Sequence, residues 1–289
     1  MNSYLFTQNI EQIDHQKSVN LLEAGKVLFF PEYFYAPVDS ILLSENVLDG
    51  SRKNVSYDIR NKKLSAYKKD INNLDAKLRN MMHGYAEFAH QLIQTALPSY
   101  APHLQWGRTS FRPAQINGRV SSKRKDDTRL HVDSFSASPV HGLRILRVFC
   151  NINPTEPRVW NLGEPFEDVL NRFAPKIAPY SKMKAKMLKW VKATKTLRPA
   201  YDHYMLHLHD TMKLDDTYQA NVEKVRIDFP AKSTWIVFTD HVSHAALSGQ
   251  HLLEQTFYLP VDKMTTPDCS PLNQWQKIRP ELSSLNLYS

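Results

Sequence analysis

The stretch Leu130-His131-Val132-Asp133 constrains this chain more than any other. In an extended strand residues i and i+2 point to the same face, so the His131 imidazole and the Asp133 carboxylate can converge on one ion. A second cluster, Thr239-Asp240-His241-Val242-Ser243-His244, follows the strand-like run Trp235-Ile236-Val237-Phe238 and offers a third ligand. Two imidazoles and one carboxylate hold one face of a metal and leave the other open, the arrangement of non-haem Fe(II) oxygenases. A lone HxD triplet is a weak signal. Its weight comes from the distal cluster, 113 residues beyond His131 at the end of another strand. Three histidines compete for the distal position. His251 follows Gly249 in a turn-like sequence, whereas His241 and His244 end a strand. The small neighbours Ser243, Ala245 and Ala246 would let a metal approach, so His244 is the first choice and His241 the second.

A chain of 289 residues with 42% hydrophobic content can bury a large core as a single domain. Leu74, Leu78, Met81, Met82, Tyr85, Phe88, Ala89 and Leu92 recur at three and four, which predicts an amphipathic helix from about Leu64 to Leu97, closed by Pro98. β-like runs dominate afterwards, interrupted by helical periodicity. The expectation is an α+β, mainly β domain over 1–289. It has a helical part over about 1–100, a β core over about 101–260 with a helical insertion over about 163–220, and a tail over 261–289. Gly142 opens a β-like run that carries Arg144 and Arg147. Three apart, they point to opposite faces of a strand, and the one that enters the core needs an anionic partner.

The formal charge of +8 and a pI near 9.3 favour anionic partners. No nucleic-acid module or aromatic-interleaved basic motif is present, which argues against nucleic acid. Residues 175–198 carry Lys176, Lys182, Lys184, Lys186, Lys189, Lys192, Lys195 and Arg198, interleaved with Met183, Met187, Leu188, Trp190 and Val191. Such a helix can lie on an anionic membrane. A surface helix with solvated lysines is the simpler expectation. His203 and His207 stand at i and i+4 without an HExxH pattern and read as surface or packing histidines. Two cysteines, Cys150 and Cys269, imply no disulfide framework, and no apolar stretch is long enough to span a membrane. A cytoplasmic location is the default.

Five blocks together resemble the Kdo hydroxylases, Fe(II)- and 2-oxoglutarate-dependent dioxygenases of Gram-negative bacteria acting on the 3-deoxy-manno-octulosonic acid of lipopolysaccharide. They are Arg108-Thr109-Ser110-Phe111-Arg112-Pro113, Asp126 through Asp133, Gly142 through Pro154, Arg158-Val159-Trp160 with Gly163-Glu164, and Thr239 through Leu247. They cover most of 105–260. Leu22 through Pro31 adds a less distinctive match.

The resemblance implies a double-stranded β-helix (jelly roll) binding iron through His131, Asp133 and His244, with O₂ as cosubstrate and ascorbate as a reductant. It also implies a base for the distal carboxylate of 2-oxoglutarate. Many relatives place that base shortly after the distal histidine, where this chain has Glu254 and no Arg or Lys before Lys263. Arg144 on the strand after the HxD motif is therefore preferred, Arg147 comes second, and Thr128 adds a hydroxyl. Arg108, Arg112, Arg119, Lys123, Arg124 and Arg129 are candidates to hold the carboxylates and phosphates of a Kdo-lipid A glycolipid, oxidised at C3. Peripheral contact with the cytoplasmic face of the inner membrane would follow. Two other classes remain open: a non-catalytic jelly-roll protein binding sugar or lipid, and a zinc-dependent hydrolase using the same triad.

Overall fold

The computed structural model describes residues 4–36, 39–50, 52–119, 121–192, 197–280 and 282, and all side chains there except those of Lys184 and Leu188. Val120, Lys195 and the end of the C-terminal tail lie outside the described residues. Among the described residues there are eleven strands: β1 (Leu5–Thr7), β2 (Val27–Phe30), β3 (Val55–Asp58), β4 (Lys63–Ser65), β5 (Gln105–Arg112), β6 (Arg144–Asn151), β7 (Arg158–Leu162), β8 (Val225–Phe229), β9 (Ser233–Phe238), β10 (His244–Ser248) and β11 (Leu252–Leu259). The helices are α1 (His15–Glu23), α2 (Leu74–Ala96), α3 (Phe166–Phe173), α4 (Lys182–Trp190), α5 (Ala200–Leu214), α6 (Asp216–Asn221) and α7 (Pro271–Ile278).

Eight strands form a large sheet in the order β1-β2-β9-β6-β11-β5-β3-β4, and three form a small one, β10-β7-β8. From β6 onward the chain runs through the large sheet (β6), twice through the small one (β7, β8), then large (β9), small (β10) and large (β11). Their facing sides close on Phe149, Trp160, Phe229, Trp235 and Leu252. The outer face of the large sheet packs on α2 through Leu146, Val148, Cys150 and Leu253. The outer face of the small sheet meets α3, α5 and α7 through Leu130, Val132 and Ala245.

The expected helix is shorter than its hydrophobic repeat suggested. It starts at Leu74, not near Leu64, because Lys63–Ser65 pairs with Val55–Asp58 as a hairpin strand. The apolar residues at three and four still define its buried stripe: Leu74, Leu78, Met81, Met82, Tyr85, Ala89 and Leu92 are all buried.

Every residue of β6 is buried, so this strand has no wet face. Alternation nevertheless sorts it. Leu146, Val148 and Cys150 turn to α2, while Phe149 turns between the sheets. Arg144 shares the parity of Leu146 and so lies on the helix side. Arg147 shares the parity of Phe149 and enters the space between the sheets.

Candidate metal centre

His131 and His244 face one another across an isolated antiparallel bridge: His131 N donates to His244 O at 3.0 Å and His244 N to His131 O at 2.9 Å. Two residues on, Asp133 N donates to Thr239 O at 2.7 Å, which pins the carboxylate beside the end of β9. Val132, between them, is fully buried in the helix-covered layer on the other side. The i, i+2 alternation thus delivers His131 and Asp133 to one side, and the bridge delivers His244 opposite them. One ligand atom from each of the three lies within 4.8 Å of the others.

Both imidazoles are prepared as ligands. Nδ1 of His131 lies 2.8 Å from Arg129 O, and Nδ1 of His244 lies 2.8 Å from Val242 O. A carbonyl can only accept, so each Nδ1 carries the proton and each Nε2 keeps its lone pair for a metal. Burial, with the positive charge of Lys213 adding to it, holds His131 well below its ordinary pKa; burial likewise depresses His244. Both stay neutral, as coordination requires. Burial pushes the Asp133 carboxyl upward, but the Arg147 guanidinium beside it overcomes this and holds it below the usual carboxylate range. Asp133 Oδ2 is 3.1 Å from Arg147 Nη1, in an ion pair whose angle makes no hydrogen bond. A buried carboxylate oxygen without a hydrogen-bond donor suits coordination to a cation, so the residues fit a metal. The His244 ring stacks on Trp160 at 5.0 Å, and His209 packs edge-on to His131 at 5.3 Å.

The triad opens into a cavity of about 350 Å³. Its lining carries seven Lys or Arg side chains against three carboxylates, Asp127, Asp133 and Glu254. Glu254 stands where relatives were expected to have a base. It bridges Arg112 at 3.1 Å and Arg147 at 3.3 Å. Two buried cavity cations have no ion pair among the described residues. Arg158, on β7 with the parity of Trp160, is 2% exposed; its Nη1 donates to Gly249 O at 2.8 Å and its Nε has no partner. Burial, and then Arg112, pushes its pKa down to about 9. Lys213 on α5 is also 2% exposed, and burial depresses its pKa. A buried cation without a counterion favours an anionic ligand. Neither residue was singled out for this role from sequence. The parity of Arg158 with Trp160 and Leu162 was a usable signal; Lys213 gave none.

The other candidates separate. Arg144 is fully buried against Asp240 at 2.8 Å and over the Phe238 ring at 3.9 Å, on the α2 side, and it does not line the cavity. Of the two strand arginines it is Arg147, the second choice, that enters the cavity, where it stands beside Asp133. Thr128 is exposed, its hydroxyl spent on Asp126 Oδ1 at 2.7 Å. Arg112 and Arg124 line the metal cavity, Arg124 pairing with Asp210 at 3.1 Å. Lys123 and Arg129 instead bind Asp216. Arg119 lines a different cavity, with Glu45 and Arg52. Arg108 lines a third, of about 1120 Å³, which meets the metal cavity at Ser134, Phe135, Arg147 and Glu254. His203 and His207 pack ring against ring at 4.3 Å, away from the triad cavity. His241 is buried but does not join the triad; its ring packs on Phe166 at 5.3 Å.

A family model for 3-deoxy-D-manno-oct-2-ulosonic acid (Kdo) hydroxylase matches residues 6–281. Comparison with curated proteins gives no match. Among solved structures, the Kdo hydroxylase KdoO in complex with cobalt(II), a non-haem Fe(II) α-ketoglutarate-dependent dioxygenase, is 42% identical, with a TM-score of 0.90 and 96% of each chain covered. The same enzyme with α-ketoglutarate and Fe(III) superposes at a TM-score of 0.91 over 98% of each chain, and its apo structure does so equally. With the triad in place and the match spanning nearly the whole sequence, the chain belongs to the Kdo hydroxylase family.

Proposed function

We propose that this protein is an Fe(II)- and 2-oxoglutarate-dependent dioxygenase that hydroxylates the Kdo sugar of Kdo-lipid A at C3. The observation that carries the reading is the convergence of His131, Asp133 and His244 inside a cavity that also holds two buried cations, Arg158 and Lys213, without ion pairs among the described residues. The alternation of strands between the two sheets is that of a double-stranded β-helix, which supports the same reading.

His131, Asp133 and His244 would hold the iron, and the chemistry it would supply is O₂ activation coupled to conversion of 2-oxoglutarate to succinate and CO₂, one oxygen atom going to succinate and the other to the sugar. Ascorbate would serve as an accessory reductant. Arg158 receives the distal carboxylate of 2-oxoglutarate, since it is a buried guanidinium on a barrel strand with a free Nε and, unlike Arg147, no ion pair among the described residues. Phe149, Trp160, Ala246 and Leu252 line the same cavity and exclude water there. Arg147 and Glu254 stand where the two cavities meet. They orient Asp133 on one side and face the incoming sugar on the other. Arg108 and Arg60 in the larger cavity are placed to hold the sugar's anionic groups. A working place on the cytoplasmic side of the inner membrane fits the substrate and the two free thiols, Cys150 and Cys269.

Anaerobic titration with Fe(II) and then 2-oxoglutarate tests this reading. A weak visible charge-transfer band should appear and be lost in His131→Ala. A zinc hydrolase would take Zn(II) and ignore 2-oxoglutarate, and a sugar-binding protein would keep its ligand in His131→Ala. Either result would overturn the enzyme assignment made here.

A further inference from the structure

Helix α4 turns its apolar side away from the protein. Met183, Met187, Trp190 and, just past its end, Val191 are 80%, 57%, 83% and 54% exposed. At about 100° per residue they fall within one arc of roughly 100°. Ala185, the buried one among the described side chains of this helix, lies on the opposite side. A solvated surface helix shows the reverse polarity. By the same count Lys186 borders this stripe and Lys182 and Lys189 lie further round the same flank, all three exposed; Lys192 follows, and no Asp or Glu occurs anywhere from 169 to 201.

The helix is also tied to the wall of the larger cavity. Just before it, the Tyr180 hydroxyl donates to Arg198 O at 3.0 Å, and Arg198 Nη2 donates to Ser136 O. Asp202 accepts from Val140 N and His141 N. Residues 134–141 line the cavity that meets the metal centre.

We propose that α4 docks the enzyme on an anionic lipid surface, with Met183, Met187 and Trp190 among the headgroups and the lysines against the phosphates, beside the mouth of the substrate cavity. Exposed methionine and tryptophan bordered by lysines match the two attractions such a surface offers, burial of apolar side chains and neutralisation of charge. A second copy of this chain fits less well, because a symmetric interface would set the same lysines against each other. Entry of the sugar from the bilayer rests on the reading of a lipid-anchored substrate; the docking itself does not.

Cosedimentation of the full chain with vesicles tests the docking without any Kdo present. The protein should bind vesicles of phosphatidylglycerol and phosphatidylethanolamine, release in high salt, and ignore phosphatidylcholine alone. Each lysine near an anionic surface is worth about a fivefold change in partitioning, so Lys186→Ser with Lys189→Ser should bind about 25-fold more weakly. Met187→Ser with Trp190→Ser should abolish binding, with thermal stability unchanged because both side chains are exposed. No binding by the wild type, or equal binding by the variants, overturns the proposal. So does a dimer that Met187→Ser with Trp190→Ser dissociates in the absence of vesicle binding. Turnover of a water-soluble Kdo glycoside should be the same in all variants, while turnover of vesicle-embedded substrate falls. If vesicles bind but embedded substrate gains nothing, the docking stands and the lipid-anchored reading fails.

Discussion

Replacing Arg158 with methionine should move two measurements in opposite directions. The guanidinium is buried with one bond to Gly249 O and no carboxylate partner among the described residues. Its pKa falls from the ordinary 12.5 to about 9, burial being the first cause. A folded-state pKa below the unfolded value of a base means the unfolded chain binds the proton more tightly. The destabilisation is therefore complete below about pH 9 and fades only above it. At about 1.4 kcal/mol per tenfold change the fall corresponds to a ceiling of about 5 kcal/mol. Methionine also forfeits the bond to Gly249 O, worth about 1.5–3 kcal/mol for a charged donor. A gain of about 2 kcal/mol remains for the unliganded protein, or a Tm higher by about 4 °C in a chain of this length. Binding of 2-oxoglutarate should go the other way. Two charge-assisted bonds lost at about 1.5 kcal/mol each weaken it by about 100-fold. Differential scanning fluorimetry of the free protein and anaerobic titration of the charge-transfer band measure the two effects. Unchanged affinity would show that the carboxylate lies elsewhere, with Lys213 next in line. A less stable free protein would show that Arg158 is already satisfied.

Arg144→Met should behave differently. It strands Asp240 in the sheet–helix layer, which costs about 3–5 kcal/mol, while the 2-oxoglutarate affinity of the folded fraction stays within threefold in the same titration. His241→Gln should flatten the acid limb of stability. Burial, then Arg144, pushes His241 down to about 3, so the folded state keeps it neutral while the unfolded chain protonates. Wild-type stability falls as pH drops through the window from the ordinary 6.5 toward 3, and near pH 5 urea denaturation should show about 2 kcal/mol less of that loss in the variant. Gly249→Ala should be destabilising by about 1–3 kcal/mol in thermal melts, because its φ of +109° is strained for any side chain. The new Cβ would stand 2.9 Å from Arg158 Cδ, so 2-oxoglutarate binding should weaken as well.

The metal triad was legible because its three positions obey local rules. His131 and Asp133 share a face by alternation, and His244 stands in the same cluster as the end of β9. What alternation left open at β6 was which face is inside. A half-exposed strand reveals this by its polar side, but α2 covers the outer face, and Arg144 through Asn151 are all buried. With apolar residues on both faces, Arg144 and Arg147 could be told apart only as opposite, not as inner and outer. The pairing of Arg144 with Asp240 and of Glu254 with Arg112 and Arg147 joins residues 96, 142 and 107 positions apart. No spacing in the chain encodes such partners, so Glu254 looked like the loss of a base when it is the acid that holds two bases in the cavity wall. The same reasoning explains α4. Its lysines and its apolar side chains were both visible in the sequence, and both a solvated helix and a membrane helix have that composition. The choice depends on which side faces the protein, and among the described side chains of α4 it is Ala185, the smallest, that is buried. A helix seated on an alanine while a tryptophan and two methionines point to solvent has its strongest apolar contacts still to make, so its orientation rather than its composition argues for a lipid surface.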